Sequence, residues 1–239
     1  MSLVRHHNML GRPLQPRFFG FATVPADNAS NGGSPMVVTP PANMVSGDLT
    51  WVSFLRAGAG PETASIPVTG GQSWTLTQDR NTSLPEIWTA WCTFNGTWSA
   101  NPQFAITGTS VAKSAQMFVV RSNKVGAVWA VDQYSSLVTT SVGGGVFDQT
   151  ITGVTNTNNR VVTIARAVVS VSGYTYSSHT PLNWIWMGGQ NFRNTGSNNK
   201  NILYGYLYQP IGGATGDLTF TGAIGSSTAY KNMHSFYYT

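Results

Sequence analysis

Cysteine is almost missing from this chain: Cys92 stands alone among 239 residues, so no intrachain disulfide forms and a disulfide-stapled scaffold is excluded. Charge is scarce too. Asp, Glu, Lys and Arg make up 9% of the residues, against about 25% in an ordinary soluble domain. The net charge of +5 reflects few acids rather than many bases. No run of basic residues occurs, and without clustered phosphate contacts nucleic-acid binding is not indicated. Long apolar runs are absent, which excludes a membrane-spanning helix. Val4 is followed at once by Arg5, His6, His7 and Asn8, so no signal peptide is expected at the start. No window supports a long amphipathic helix. Ala112–Met117 reads as a turn or two at most, and Ala165–Val171 is too rich in β-branched residues for a helix.

Glycine, Ser, Thr and Asn fill the gap left by charge, and aromatics reach 12%. Low charge with many large apolar groups is the opposite of a disordered composition. Leu49, Trp51, Ser53 and Leu55 share one face of a strand, with Thr50, Val52 and Phe54 on the other. Similar runs recur at Ile87–Phe94, Gln103–Thr107, Gln116–Arg121, Val146–Thr152, Arg160–Val171, Ile202–Tyr208 and His234–Tyr238. Turn signals separate the runs, among them Gly70-Gly71, Asn95-Gly96, Gly143-Gly144-Gly145, Gly188-Gly189 and Gly212-Gly213. About a dozen short strands at turn-like spacing predict an all-β fold, an antiparallel β-sandwich or jelly roll. One short echo links Gly47-Asp48-Leu49-Thr50-Trp51 to Gly216-Asp217-Leu218-Thr219-Phe220, and could mark equivalent strands.

Residues 1–35 read as an extended N-terminal arm ahead of a β domain at 36–239. Pro13, Pro16, Pro25 and Pro35 break regular structure, and Asn28–Ser34 is a polar linker. The arm carries Arg5, Arg12 and Arg17 beside Leu10, Leu14, Phe18, Phe19 and Phe21. Five large apolar groups are not normally left in water, so they are expected to pack on another subunit or on the body of this one, the alternative being a disordered tail.

Signals for chemistry are weak. The acids Asp27, Asp48, Glu62, Asp79, Glu86, Asp132, Asp148 and Asp217 sit mostly at turns or strand edges, where Asp caps backbone. A glycosidase needs two of them to converge. No Gly-x-Ser-x-Gly elbow accompanies His179 or His234, and the histidines lack metal-ligand spacing. Neither a metal nor a cofactor is called for. Cys92, inside an apolar run, reads as a small buried hydrophobe. Asn28, Asn81 and Asn95 begin glycosylation-type triplets, whose use the missing leader argues against. Aromatic stripes are the clearer feature. Tyr204, Tyr206 and Tyr208 share one strand face, with Leu203 and Leu207 opposite, and Trp184 and Trp186 share another. Core, subunit interface and glycan contact all suit such stripes.

The segment Val37-Val38-Thr39-Pro40-Pro41-Ala42, followed by Gly47-Asp48-Leu49, resembles the opening of many tailed-bacteriophage virion proteins. There a Pro-Ala turn and a Gly-Asp turn precede the first long strand. Gly71-Gln72-Ser73-Trp74-Thr75-Leu76 is similar to their next segment, with Gln72 as a departure. Thr219–Ile224, Ser226-Ser227 and Ala229–Tyr238 look like their ending, although more aromatic. The resemblance covers residues 36–239 as one jelly-roll-like domain and carries no catalytic residues. It implies a non-enzymatic virion protein made in the host cytoplasm. The first reading is a capsid decoration or head-fibre component, docked by its arm on the major capsid protein or another virion protein. Homo-oligomers, trimers among them, suit that role. The alternatives are a tail or fibre adhesin holding host glycan through the Tyr or Trp stripes, and a depolymerase-type hydrolase.

Overall fold

The computed structural model describes residues 16–24, 35–56, 62–80, 86–107, 113–135, 137–142, 145–169, 175–192, 200–224 and 227–239. It is all-β and antiparallel. The first eight strands are β1 (Arg17–Val24), β2 (Met36–Val37), β3 (Leu49–Arg56), β4 (Ala64–Val68), β5 (Thr75–Arg80), β6 (Glu86–Thr93), β7 (Gln103–Ile106) and β8 (Lys113–Arg121). They form a sheet ordered β1-β8-β3-β6-β5 and a smaller one ordered β2-β7-β4. Strands β1 to β4 alternate between the two sheets, β5 and β6 both join the larger one, and the last strand inserts between the first and third, as in a wrapped jelly roll.

The rest of the chain repeats this plan. It contains β9 (Trp129–Tyr134), β10 (Val138–Val142), β11 (Gly145–Ile151), β12 (Thr155–Asn156), β13 (Val161–Val169), β14 (Thr175–Thr180), β15 (Ile185–Phe192), β16 (Lys200–Gln209), β17 (Gly213–Ala214), β18 (Leu218–Ile224) and β19 (Ser227–Tyr238). The large sheet runs β10-β19-β13-β16-β15 and the small one β11-β18-β14, with β12 and β17 as a short extra ladder. β9 pairs with residues 234–238 of β19, and β10 with residues 227–231 of the same strand. Together they fill the place that β1 has beside β8. Strand for strand, the second unit has the order of the first.

The four sheets stack as layers with three apolar cores. Trp51, Leu55 and Phe118 of the first large sheet meet Ile164, Val168, Tyr204 and Phe236 of the second. The reverse face of the first packs Val52, Phe54 and Trp88 on Phe104 and Ile106 of its small sheet. The reverse face of the second packs Ala165, Leu203 and Met233 on Leu218 and Phe220. Both central sheets are therefore covered on both faces, which explains why β3 and β13 are buried along their whole length. Trp74 and Trp184, each one residue before the matching edge strand of its large sheet (β5 and β15), pack on or within the corresponding outer cores.

The units face each other across an approximate twofold axis that runs along the strands. Asp79 on β5 meets Tyr134 of β9, while the Tyr206 hydroxyl of β16 donates to the Pro16 carbonyl at the start of β1. The β5 edge of one sheet thus lies over the β9–β19 edge of the other, and β1 over β16. The Tyr238 hydroxyl donates to Asn123, so the loops after β8 and the end of β19 lie at one end of the stack. Two copies of one surface meeting in this way form an isologous contact, here inside a single chain.

Several expectations are corrected. Residues 113–117 are strand, part of β8, because their β-branched and apolar neighbours Phe118–Val120 carry the chain through a sheet covered on both sides. Arg17–Val24, at the end of the segment read as an arm, is an edge strand on the body of this chain, in register with β8 from Arg17 opposite Arg121 to Val24 opposite Ala115. Arg17 is exposed, while the side chains of Phe18, Phe19 and Phe21 and the whole of Arg5, Leu10, Arg12 and Leu14 lie outside the described residues. Asn28–Ser34 and Gly143-Gly144 lie outside them as well. Gly188-Gly189 is no turn but sits inside β15, where the register shifts. The Gly-Asp-Leu echo falls on β3 of the first unit and on β18, the counterpart of β7, in the second, so it does not mark equivalent strands.

Candidate functional site

A polar cluster lies in the interface between the two large sheets. Arg166 sits in the middle of β13, in a run of small and β-branched residues, and has no exposed surface. Its Nη2 lies 2.6 Å from the Asp79 carboxylate, and its Nη1 donates to Ser53 Oγ at 2.8 Å. Nε and Nη2 both donate to Asn232 Oδ1. Asp79 also accepts from Thr89 at 2.6 Å and from the Tyr134 hydroxyl at 2.8 Å. Ser53, Asp79 and Thr89 come from the first unit and Arg166, Asn232 and Tyr134 from the second, so the network bridges the two. Burial alone would raise the Asp79 pKa, but Arg166, His234 and the Thr89 hydroxyl outweigh it and hold the carboxyl below its usual value. Burial, reinforced by Asp79, pushes the Tyr134 phenol up.

His234 completes the cluster as a neutral ring. Asn232 turns its oxygen to Arg166, which leaves its amide to donate to His234 Nε2 at 2.9 Å. That nitrogen must then be an acceptor, with the proton on Nδ1. Burial, opposed by Asp79, brings the His234 pKa down to about 4. The 3.7 Å approach to Asp79 is therefore not an ion pair near neutral pH. With Tyr134 closing it at the edge of the interface, this arrangement fastens the two units.

A second charged group lies at the far end of the first unit. Arg56 reaches Glu62 at 2.8 Å and Glu86 at 3.3 Å. Glu86 is buried, and burial raises its pKa, whereas the Thr107 hydroxyl leads the effects that lower Glu62. Burial lowers the pKa of Lys113, whose ammonium donates to the Ile106 carbonyl. Among the described residues, no three His, Cys, Asp or Glu side chains converge as metal ligands.

The described surface also has a half-open cleft of about 470 Å³ between residues 45–48 and 121–125. Asp48 forms its wall, accepting two hydrogen bonds from Arg121 at 2.9 and 3.0 Å and one from the Val45 N–H. Arg121 also donates to the Asn43 carbonyl, where Asn43 takes a positive φ of 62°. Val45 and Val125 stand at its mouth, the latter 98% exposed.

The aromatic stripes divide differently from a surface patch. Tyr204 and Tyr206 are buried in the central core, and Trp184 in the outer core of the second unit. They cannot face a glycan or a partner subunit, because an opposing sheet covers each. Tyr208 and Trp186 are half-buried. Trp186 stacks on Tyr176 at 4.0 Å, and Tyr176 bonds His179, whose other nitrogen meets the Trp184 carbonyl. Sequence reading missed Arg166 and its partners, since Asp79 lies 87 residues away and only the fold joins them. No family model, curated protein or solved structure matches this chain.

Proposed function

We propose that the chain is a non-enzymatic structural protein of a tailed-bacteriophage virion, a capsid decoration or head-fibre component. The observation that carries this reading is the stack of two jelly-roll-like units fastened to each other by the buried Arg166–Asp79 cluster. Such a block suits a permanent position on a particle, where stiffness and a charge-poor surface matter more than turnover. Covalent fusion keeps the two sandwiches together at any dilution, a property useful to a part exposed on a particle outside the cell. The sequence resemblance supplies the virion context, and the β1 edge strand narrows the anchoring segment to the residues ahead of Arg17. Arg5, Leu10, Arg12 and Leu14 are its anchoring side chains.

The glycan-binding alternative is weakened, since three of its five aromatic residues are core. The test is deletion of residues 1–15, which spares every described strand. The shortened chain keeps the strand content and melting temperature of the full protein but is lost from purified virions. Full incorporation of the shortened chain would remove the anchoring role.

A further inference from the structure

We infer that the cleft between residues 45–48 and 121–125 is a docking site for an acidic protein segment that inserts an aliphatic side chain. The inference rests on the virion reading, and names the surface through which the block meets its neighbour.

The chemistry of this end differs from that of the rest of the molecule. Val45, Val125 and Val128 are 48%, 98% and 61% exposed within a short stretch of surface. Ile211, at 73%, joins the same end through the contact of Arg160 N–H with the Pro210 carbonyl. Exposed aliphatic groups gathered around a concavity mark interaction sites more often than free surface. The cleft has room for a Leu or Ile side chain, and the Asp48–Arg121 pair gives it a rigid wall.

Charge selects the partner. Arg17, Lys124 and Arg160 are exposed at this end and make no ion pair with any described residue. Nearby acids are already committed. Asp48 is taken by Arg121, Asp132 accepts from Thr157 and Asn158, and Asp217 accepts from the Gly153 N–H. Asp132 and Asp217 keep their charge, since their donors are neutral, but among the described residues the cations Arg17, Lys124 and Arg160 outnumber them and Lys124 stands in the cleft lining itself, which favours an anionic partner.

A second copy of this chain is a poor occupant, because it would bring the same cations, and Asp148 on an outer sheet is its one exposed described acid without a partner. Three separated cations are too few for nucleic acid, which needs many phosphate contacts. A lipid surface would meet protruding tips, whereas a cleft is shaped to receive a side chain. β1 begins opposite Arg121, so the start of β1 lies beside the cleft. The anchoring segment and the cleft thus address the same neighbour.

The test places a photo-crosslinking amino acid at Val125 and, in a separate protein, at Ser65, which is exposed on the outer face of β4. Each full-length chain is carried into virions of the encoding phage and irradiated. The expected result is a cross-link from position 125 to an acidic stretch of another virion protein, and none from position 65. Adding K124E to the position-125 chain lowers the yield several-fold. Cross-links from position 65 alone, or from position 125 only to a second copy, to lipid or to DNA, would overturn the cleft while leaving the virion reading intact. Absence of the unmodified chain from purified virions would overturn that reading and this one with it.

Discussion

Replacing Arg166 by Met removes a buried cation while keeping most of the side-chain volume. The change leaves Asp79 facing the interface with only Thr89 and Tyr134 as donors, and leaves the oxygens of Ser53 and Asn232 without their guanidinium. Breaking one partner of a buried pair costs about 3–5 kcal/mol, because the remaining charge is left uncompensated. With a urea dependence of about 3 kcal/mol/M for a chain of this size, the midpoint falls by roughly 1–1.7 M. Urea unfolding followed by tryptophan fluorescence measures it, the slope staying unchanged. The double variant R166M with Asp79→Asn recovers part of the loss, since neither charge is then buried alone. The coupling between the two sites is about 1–3 kcal/mol. A loss below about 1 kcal/mol for Arg166→Met, or simple additivity in the double variant, would refute the claim that this pair fastens the units.

Three further outcomes follow from the same geometry. His234 is neutral in the fold with a pKa of about 4, while the unfolded ring takes up a proton below about 6.5. Stability is therefore full above pH 6.5 and falls by up to about 3 kcal/mol between pH 6.5 and 4; a flat melting temperature over that range would contradict the neutral ring. A Cβ on Gly205 would lie 2.7 Å from Leu218 Cδ2 in the tightly packed outer core, so Gly205→Ala lowers stability by about 1–3 kcal/mol in thermal unfolding. Burial pushes the Cys92 thiol up to about 12, so a disulfide reagent at pH 8 labels it only after denaturation; rapid labelling of the native protein would place Cys92 at the surface.

Much of the fold is legible in the sequence, and for a physical reason. A strand buried on one or both faces must be written in β-branched and aromatic residues, so β3, β6, β13 and β16 stand out by composition and alternation. The failures have equally specific causes. The Tyr204–Tyr208 stripe alternates with leucines as a half-exposed strand would, but here both faces meet another sheet, one holding Trp51 and the other Leu218. Thr175–Thr180 is almost wholly polar, so β14 gave no apolar pattern to find. β1 was hidden among prolines. The duplication left no aligned sequence echo, because what the two units share is the order of strands and the sites of Trp74 and Trp184, not a run of identical residues. The polar cluster was invisible since its members are scattered from Ser53 to His234 and meet only when the units stack.

The central claim is that this two-unit block is a fixed part of a virion, and a cryo-EM map of the purified parent particle tests it most directly. The account predicts a four-layered β density of this size at a regular position on the capsid, with the end bearing Val125 and the start of β1 turned toward a neighbouring protein. A particle map in which no density fits the stacked pair of jelly rolls, from a virion preparation shown to lack the chain, would contradict it.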